Sequence, residues 1–193
     1  LTSMGDTKVQ ALSEDAFEDE PIYIDLAFDA GLTAHRPYAG DTSKPSTGWH
    51  AQFADVNNDT WHDLFIAKGN VEAMPNFAAF DPDNLLLGSE TGQYREVGDL
   101  AGIALDRRGR GGVIEDFNAD GKLDLLVINR EDVPSLFVNQ GPLDAPSPAQ
   151  GLGNFLRVEL SNGAVNPQGI GASISVKTGN RFQTKTVAIG GGH

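Results

Sequence analysis

Cysteine is absent from this 193-residue chain, which excludes a disulfide framework, a thiolate zinc site, an iron–sulfur cluster and a cysteine nucleophile in one step. Long apolar runs are missing too, and nothing approaches the roughly 18–20 residues that a membrane span needs. Basic residues are scarce, with 14 Lys and Arg against 27 Asp and Glu, and the net charge of −13 excludes a general binder of nucleic acid or anionic membrane. An acidic chain of this kind attracts cations. The one basic cluster of the first 140 residues, Asp106-Arg107-Arg108-Gly109-Arg110, is too short for nucleic acid and suits an acidic partner, a glycan or a neighbouring acidic strand. Histidine is sparse as well: His35, His50, His62 and His193 stand in no recognised catalytic motif and are read as structural or solvent-facing. No basic-then-apolar leader stands behind Leu1, as expected of a processed chain or a piece of a longer one.

What is present is strand punctuation. Residues 1–20 are polar and acidic, with Glu14, Asp15, Glu18, Asp19 and Glu20 crowded before Pro21, and read as an arm or an extended strand in need of a partner. Over residues 21–140, short apolar runs such as Leu64–Ala67, Leu85–Leu87, Leu125–Ile128 and Leu136–Val138 alternate with clusters of Gly, Asp, Asn and Pro, which predicts strands and turns and no helix. Three prolines among small residues make 141–152 a linker. In 153–193, apolar and polar residues alternate over Leu156–Leu160, Ala172–Val176 and Phe182–Ala188, predicting half-buried antiparallel strands. This tail holds Arg157, Lys177, Arg181 and Lys185 against Glu159 alone, so it is basic beside an acidic remainder.

The most informative feature is an internal repeat. Trp49–Ile66 aligns with Arg110–Val127 at an offset of 61 residues, and a second echo pairs Tyr23–Leu32 with Tyr94–Ile103 at an offset of 71. Periods of this size mean stacked or radially arranged supersecondary units. Each long repeat contains D-x-N-x-D-x-x-x-D, which sets oxygen ligands at alternate positions of a tight loop, as a hard cation requires. Asp55, Asn57, Asp59 and Asp63 supply side-chain oxygens in the first loop, and Asp116, Asn118, Asp120 and Asp124 in the second. The backbone carbonyls of Trp61 and Lys122 fill a further position. Carboxylate-rich, flexible all-oxygen sets suit Ca2+ better than Mg2+ or Zn2+, so two calcium sites are expected. The loops are not EF-hands, because the twelfth positions are Ile66 and Val127 where a bidentate Glu is required. The bland alternative is that Asp and Asn only decorate turns between strands.

The loops and the strands after them resemble FG-GAP or VCBS-type repeats, with the pattern D-x-[DN]-x-[DN]-G-x-x-D-[LI] inside a β-propeller blade. The second loop matches fully, whereas the first has Thr60 where Gly is usual, which implies strain or an altered turn there. Gly153–Leu160, Asn166, Gly169–Ala172 and Val176 resemble the ASPIC/UnbV module of cartilage acidic protein-like proteins, cut short at His193. The resemblance implies an all-β protein: β-propeller-like blades with calcium loops plus a small C-terminal antiparallel β module. It also implies a secreted or cell-surface location and a structural or adhesive role. A propeller needs about four blades to close, and this chain offers two with part of another. The sheet edges are therefore expected to meet other copies, head to tail in a filament, or the remainder of a longer chain. A calcium-stiffened adhesion module binding glycan or protein is the alternative, and a hydrolase using calcium structurally is the lesser one; the chain is read as no enzyme.

Overall fold

The computed structural model describes residues 8–15, 20–26, 29–32, 47–70, 81–142, 152–161 and 165–189. The chain divides into two compact units, Leu1–Gly153 with Gly192–His193, and Asn154–Gly191. Every regular element among the described residues is a β-strand, and every ladder is antiparallel.

The first unit is built on two sheets. One runs β3 (Gly48–Ala54), β4 (Asp63–Lys68), β5 (Asn84–Leu87) and β6 (Arg95–Glu96), and the other β7 (Gly109–Glu115), β8 (Asp124–Asn129) and β9 (Ser135–Phe137), each in chain order. The sequence repeat reappears as geometry. The β3–β4 ladder shifts register between Gly48 and His50, and the β7–β8 ladder shifts between Gly109 and Gly111, the same two positions of the repeat.

Cross-strand partners point to the same face of a sheet, so register assigns the faces. On the leading face of the first sheet Leu64 stands opposite Leu86, and with Ile66 and Leu32 they form one core cluster, flanked by Val9, Ala30 and Tyr94. On its trailing face Phe65 stands opposite Gln52 and Leu85. Phe65 and Ala67 join Ile103 and the leading face of the second sheet, Ile114, Leu125 and Val127, in the other cluster. Six consecutive buried residues in β4 follow from this sandwiching, because a strand covered on both sides has no place for alternation. The contact is close: a Cβ on Gly112 would lie 2.5 Å from the Phe65 ring, so the absent side chain is what lets the two sheets approach. Gln52 adds a two-point link across the gap, donating to the Ile114 carbonyl at 3.3 Å and accepting from the Ile114 amide at 3.1 Å.

The described part of the acidic arm forms β1 (Gln10–Leu12), which pairs within the chain with β2 (Tyr23–Asp25). The second echo is also structural. Ala30 donates to the Leu26 carbonyl as Ala101 does to Val97, Gly31 and Gly102 both take positive φ, and Leu32 and Ile103 each enter one of the two clusters.

In the second unit β10 (Ser173–Thr178) and β11 (Arg181–Thr186) form a hairpin turned by Gly179 at φ +60°. The strand expected at Leu156–Leu160 is absent: residues 154–161 have no ladder partner among the described residues, and Leu156 and Val158 are exposed. Alternation prepares a face, but a strand exists only where a second backbone takes up its amides. The bulk of the expected linker, residues 143–151, lies outside the described residues, as do His35 and His193.

Candidate metal loops

Each D-x-N-x-D loop follows the first strand of its sheet and leads into the second, and the two loops match bond for bond. Asp55 accepts from the amides of Asp59 (2.9 Å) and Thr60 (2.8 Å), and Asp116 accepts from those of Asp120 (3.0 Å) and Gly121 (2.9 Å). Asn57 Oδ1 accepts from Asp59 N and Asn118 Oδ1 from Asp120 N. Asp59 then receives the Trp61 amide and Asp120 the Lys122 amide, at 2.8 and 2.9 Å. These side-chain-to-backbone bonds wind the chain into successive turns. The winding needs left-handed backbone at the fourth and sixth positions: Asn58 and Ala119 have φ of 56° and 60°, and Thr60 and Gly121 have 78° and 84°. Gly121 adopts that region freely, whereas Thr60, β-branched, is strained in it, as the departure from the repeat pattern implied.

The ninth-position carboxylates do something further. Asp63 and Asp124 are fully buried. Asp63 accepts from Val56 N at 2.8 Å and Gly88 N at 2.9 Å, and Asp124 from Phe117 N at 3.2 Å and Asn139 N at 2.9 Å. Each one thereby fastens the start of its loop to the end of the sheet's third strand. Burial pushes the Asp63 carboxyl up to about 6, opposed by those two amides and reinforced by the neighbouring charges of Asp59 and Asp55.

The loops also touch. Asn58 Nδ2 donates to the Gly121 carbonyl at 3.1 Å, and Asn139 Nδ2 donates to the carbonyls of Val56 (2.9 Å) and Leu123 (3.2 Å). Asn139 carried no sequence signal, since nothing in the repeat marks a residue that joins two loops. In the second loop the Lys122 ammonium is hydrogen-bonded to Asp120 and holds that carboxyl below the ordinary carboxylate value. The first loop has Trp61 in that place.

The donor set is chemically right for a hard cation: in each loop three carboxylates, an amide oxygen and a nearby main-chain carbonyl, with no nitrogen or sulfur ligand required. Among the described residues, no three Asp, Glu or His side chains converge closely enough to hold an ion as they stand. The carboxylates are turned onto the amides of their own loops. An ionised carboxylate has about four lone-pair sites, so accepting one or two amides leaves it capacity for a cation.

The other singled-out residues are engaged elsewhere. Arg110 lies over the Trp49 ring at 4.5 Å and donates to the carbonyls of Gly69 (2.7 Å) and Asn70 (3.0 Å), while Arg107 reaches Val133 O and Arg108 pairs with Glu131. The basic cluster thus works inside the first unit, and Trp49 is a platform for its own chain. His50 is buried, and His62, within the first loop, is exposed. At the far end of the first sheet stands a charge cluster without a sequence signature: buried Lys68 pairs with buried Asp81 at 3.0 Å, and its amide is bound by Asp83 Oδ1 at 2.8 Å. Burial pushes the Asp83 carboxyl up to about 7 and lowers the Lys68 ammonium. No protein-family model matches the chain, and no curated protein matches it at a significant level.

Proposed function

We propose that this chain is an extracellular calcium-binding structural protein of the FG-GAP/VCBS type with an ASPIC/UnbV-like tail, a scaffold for assembly and not an enzyme. The observation that carries the reading is that the motif side chains of two acidic loops accept the same set of backbone amides although the loop sequences differ at the intervening positions. Turns decorated at random with Asp and Asn have no reason to repeat one hydrogen-bond pattern. Asp55, Asn57, Asp59, Asp63 and the Trp61 carbonyl would hold one ion, and Asp116, Asn118, Asp120, Asp124 and the Lys122 carbonyl the other. Bound calcium supplies charge neutralisation among carboxylates that otherwise repel one another.

The chain's own residues convert that local effect into stiffness. Asp63 and Asp124 tie each loop to a third strand, and Asn58 and Asn139 tie the loops to each other. Ordering one loop therefore helps order its neighbour, and both sheet ends with it. The test is a thermal midpoint measured with excess calcium and with chelator. A midpoint raised by calcium, and less raised in Asp59→Ala and Asp120→Ala, is expected for an ion that binds only the folded chain. A midpoint indifferent to calcium overturns the proposal.

A further inference from the structure

A reactive pair of side chains lies at the end of β4 remote from the metal loop. Lys68 Nζ stands 3.0 Å from Asp81 Oδ1, and water reaches neither side chain, at 3 % and 0 % exposure. The surroundings are fixed from several directions. The Lys68 amide is held by Asp83 Oδ1 at 2.8 Å, the Gly69 amide donates to the Thr47 carbonyl at 3.1 Å, and buried Asn84 donates to Glu96 Oε1 at 3.2 Å. Ile66 stands opposite Asn84, and alternation along β4 puts Lys68 on that same face.

We propose that this ion pair is the reactant of a spontaneous cross-link, in which the ε-nitrogen of Lys68 and the side-chain carboxyl of Asp81 condense to an amide with loss of one water. The pair contains everything the reaction consumes. A proton passes from ammonium to carboxylate along their contact and leaves an amine beside a carboxylic acid. The nitrogen lone pair attacks Asp81 Cγ, a C–N bond forms, and the C–OH bond breaks as the hydroxyl departs with a proton from the nitrogen. No atom is oxidised or reduced, and no co-reactant is needed.

The site favours each step. In water the amine is protonated and the carboxyl ionised, and both are unreactive; burial disfavours both charged forms, and it lowers the Lys68 ammonium here. Burial also pushes the neighbouring Asp83 carboxyl up to about 7, so an acid in the charge field of the pair keeps a proton near neutrality for the departing hydroxyl. Oriented contact replaces a collision, and effective molarities of about 10⁵–10⁸ M are reached by such pairs. Exclusion of water removes the reagent of the reverse hydrolysis. The second repeat is the internal contrast, because Asn129 takes the place of Lys68 and only donates hydrogen bonds to Val133 O and Ser135 Oγ. The bond would clip β4 to the start of β5, closing a loop as a disulfide does, in a chain without cysteine. It stands apart from the calcium reading, since neither residue is a proposed ligand.

The experiment is the intact mass of the purified full chain held at neutral pH in calcium, followed by tryptic mapping, with a thermal midpoint to show that it is folded. The expected result is a chain lighter by one water in which trypsin no longer cuts after Lys68, so that residues 9–68 and 69–95 are recovered as one peptide. Asp81–Pro82 gives a second readout, because mild acid cleaves an Asp–Pro bond through the free Asp carboxyl and should leave the cross-linked chain whole. A succinimide cannot mimic the loss at Asp81, since Pro82 has no N–H. Lys68→Arg keeps the positive charge and Asp81→Ala removes the carboxyl; each should restore the full mass expected of its sequence, and Lys68→Arg should also restore the acid cleavage. Asp83→Asn should slow the loss of water at least about tenfold and leave the product unchanged. A folded wild-type chain with its full mass and ordinary cleavage after Lys68 overturns the proposal. So does a loss of water that maps elsewhere, such as Asp120–Gly121, or that survives in Lys68→Arg.

Discussion

The second strand of the first sheet, β4, is buried along its whole length, whereas its counterpart β8 is open at Ile128, although both descend from the same repeat. Phe65 and Leu126 are equivalent residues; one has no exposed surface and the other is half-buried, with exposed Val113 and Leu136 opposite it on the same face. The difference teaches that the motif specifies the loop and the first two strands, while the neighbours decide how much of each strand is buried. The first sheet, being enclosed, also supports a buried charge. Lys68 with Asp81 and Asp83 closes its end, where the second sheet has Asn129 donating to Val133 O and Ser135 Oγ.

The largest effect should come from breaking that buried cluster. Lys68→Met leaves Asp81 and Asp83 without their cation in a dry site, and a loss of about 3–5 kcal/mol is expected in chemical denaturation. Its counterpart Asn129→Ala removes two hydrogen bonds of neutral groups and should cost about 1–2 kcal/mol. Equal losses would mean that the ends of the two sheets are not distinguished as described.

The seam between the sheets comes next. Gly112→Ala drives a methyl against Phe65 and should cost about 1–3 kcal/mol by overpacking. Ala51, its equivalent in the first sheet, is exposed, and Ala51→Ser should stay within about 0.5 kcal/mol. Smaller and opposite in sign is the loop exchange. Thr60→Gly relieves left-handed strain and should stabilise by about 1 kcal/mol, whereas Gly121→Thr should cost a similar amount. Denaturation midpoints that move together would show the loops to be unlike.

The remaining expected effect is on pH dependence, read as a slope. Folding raises Asp83 from 3.8 to about 7, so the folded state binds more protons than the unfolded state between those values. Stability in chelator should therefore fall as pH rises from about 4 to about 7. Asp63 contributes in the same direction up to about 6. Asp83→Asn should leave a shallower slope that ends nearer pH 6, and an unaltered slope would remove Asp83 from the account.

Much of this was legible in the chain itself. The apolar runs at Leu64, Leu85, Leu125 and Leu136 became β4, β5, β8 and β9, because each is short, apolar and bounded by turn residues. The loops were legible because their turns are made by side chains two to five positions apart. The Leu156–Leu160 strand was misread because alternation says nothing about a partner. The Lys68–Asp81 pair, the Gln52–Ile114 link and the bridging Asn139 join residues 13 to 83 positions apart, through packing that no local pattern encodes. Asp63 and Asp124 were legible as members of the acidic loop motif, but their hold on the third strands was not.

The most direct test of the central claim is calorimetric titration of the chelator-treated chain with calcium. The account predicts two equivalents bound, reduced to one by Asp59→Ala or by Asp120→Ala singly, with the remaining site weakened because Asn58 and Asn139 join the loops. No heat of binding in a folded chain, or a stoichiometry that neither substitution changes, would contradict it.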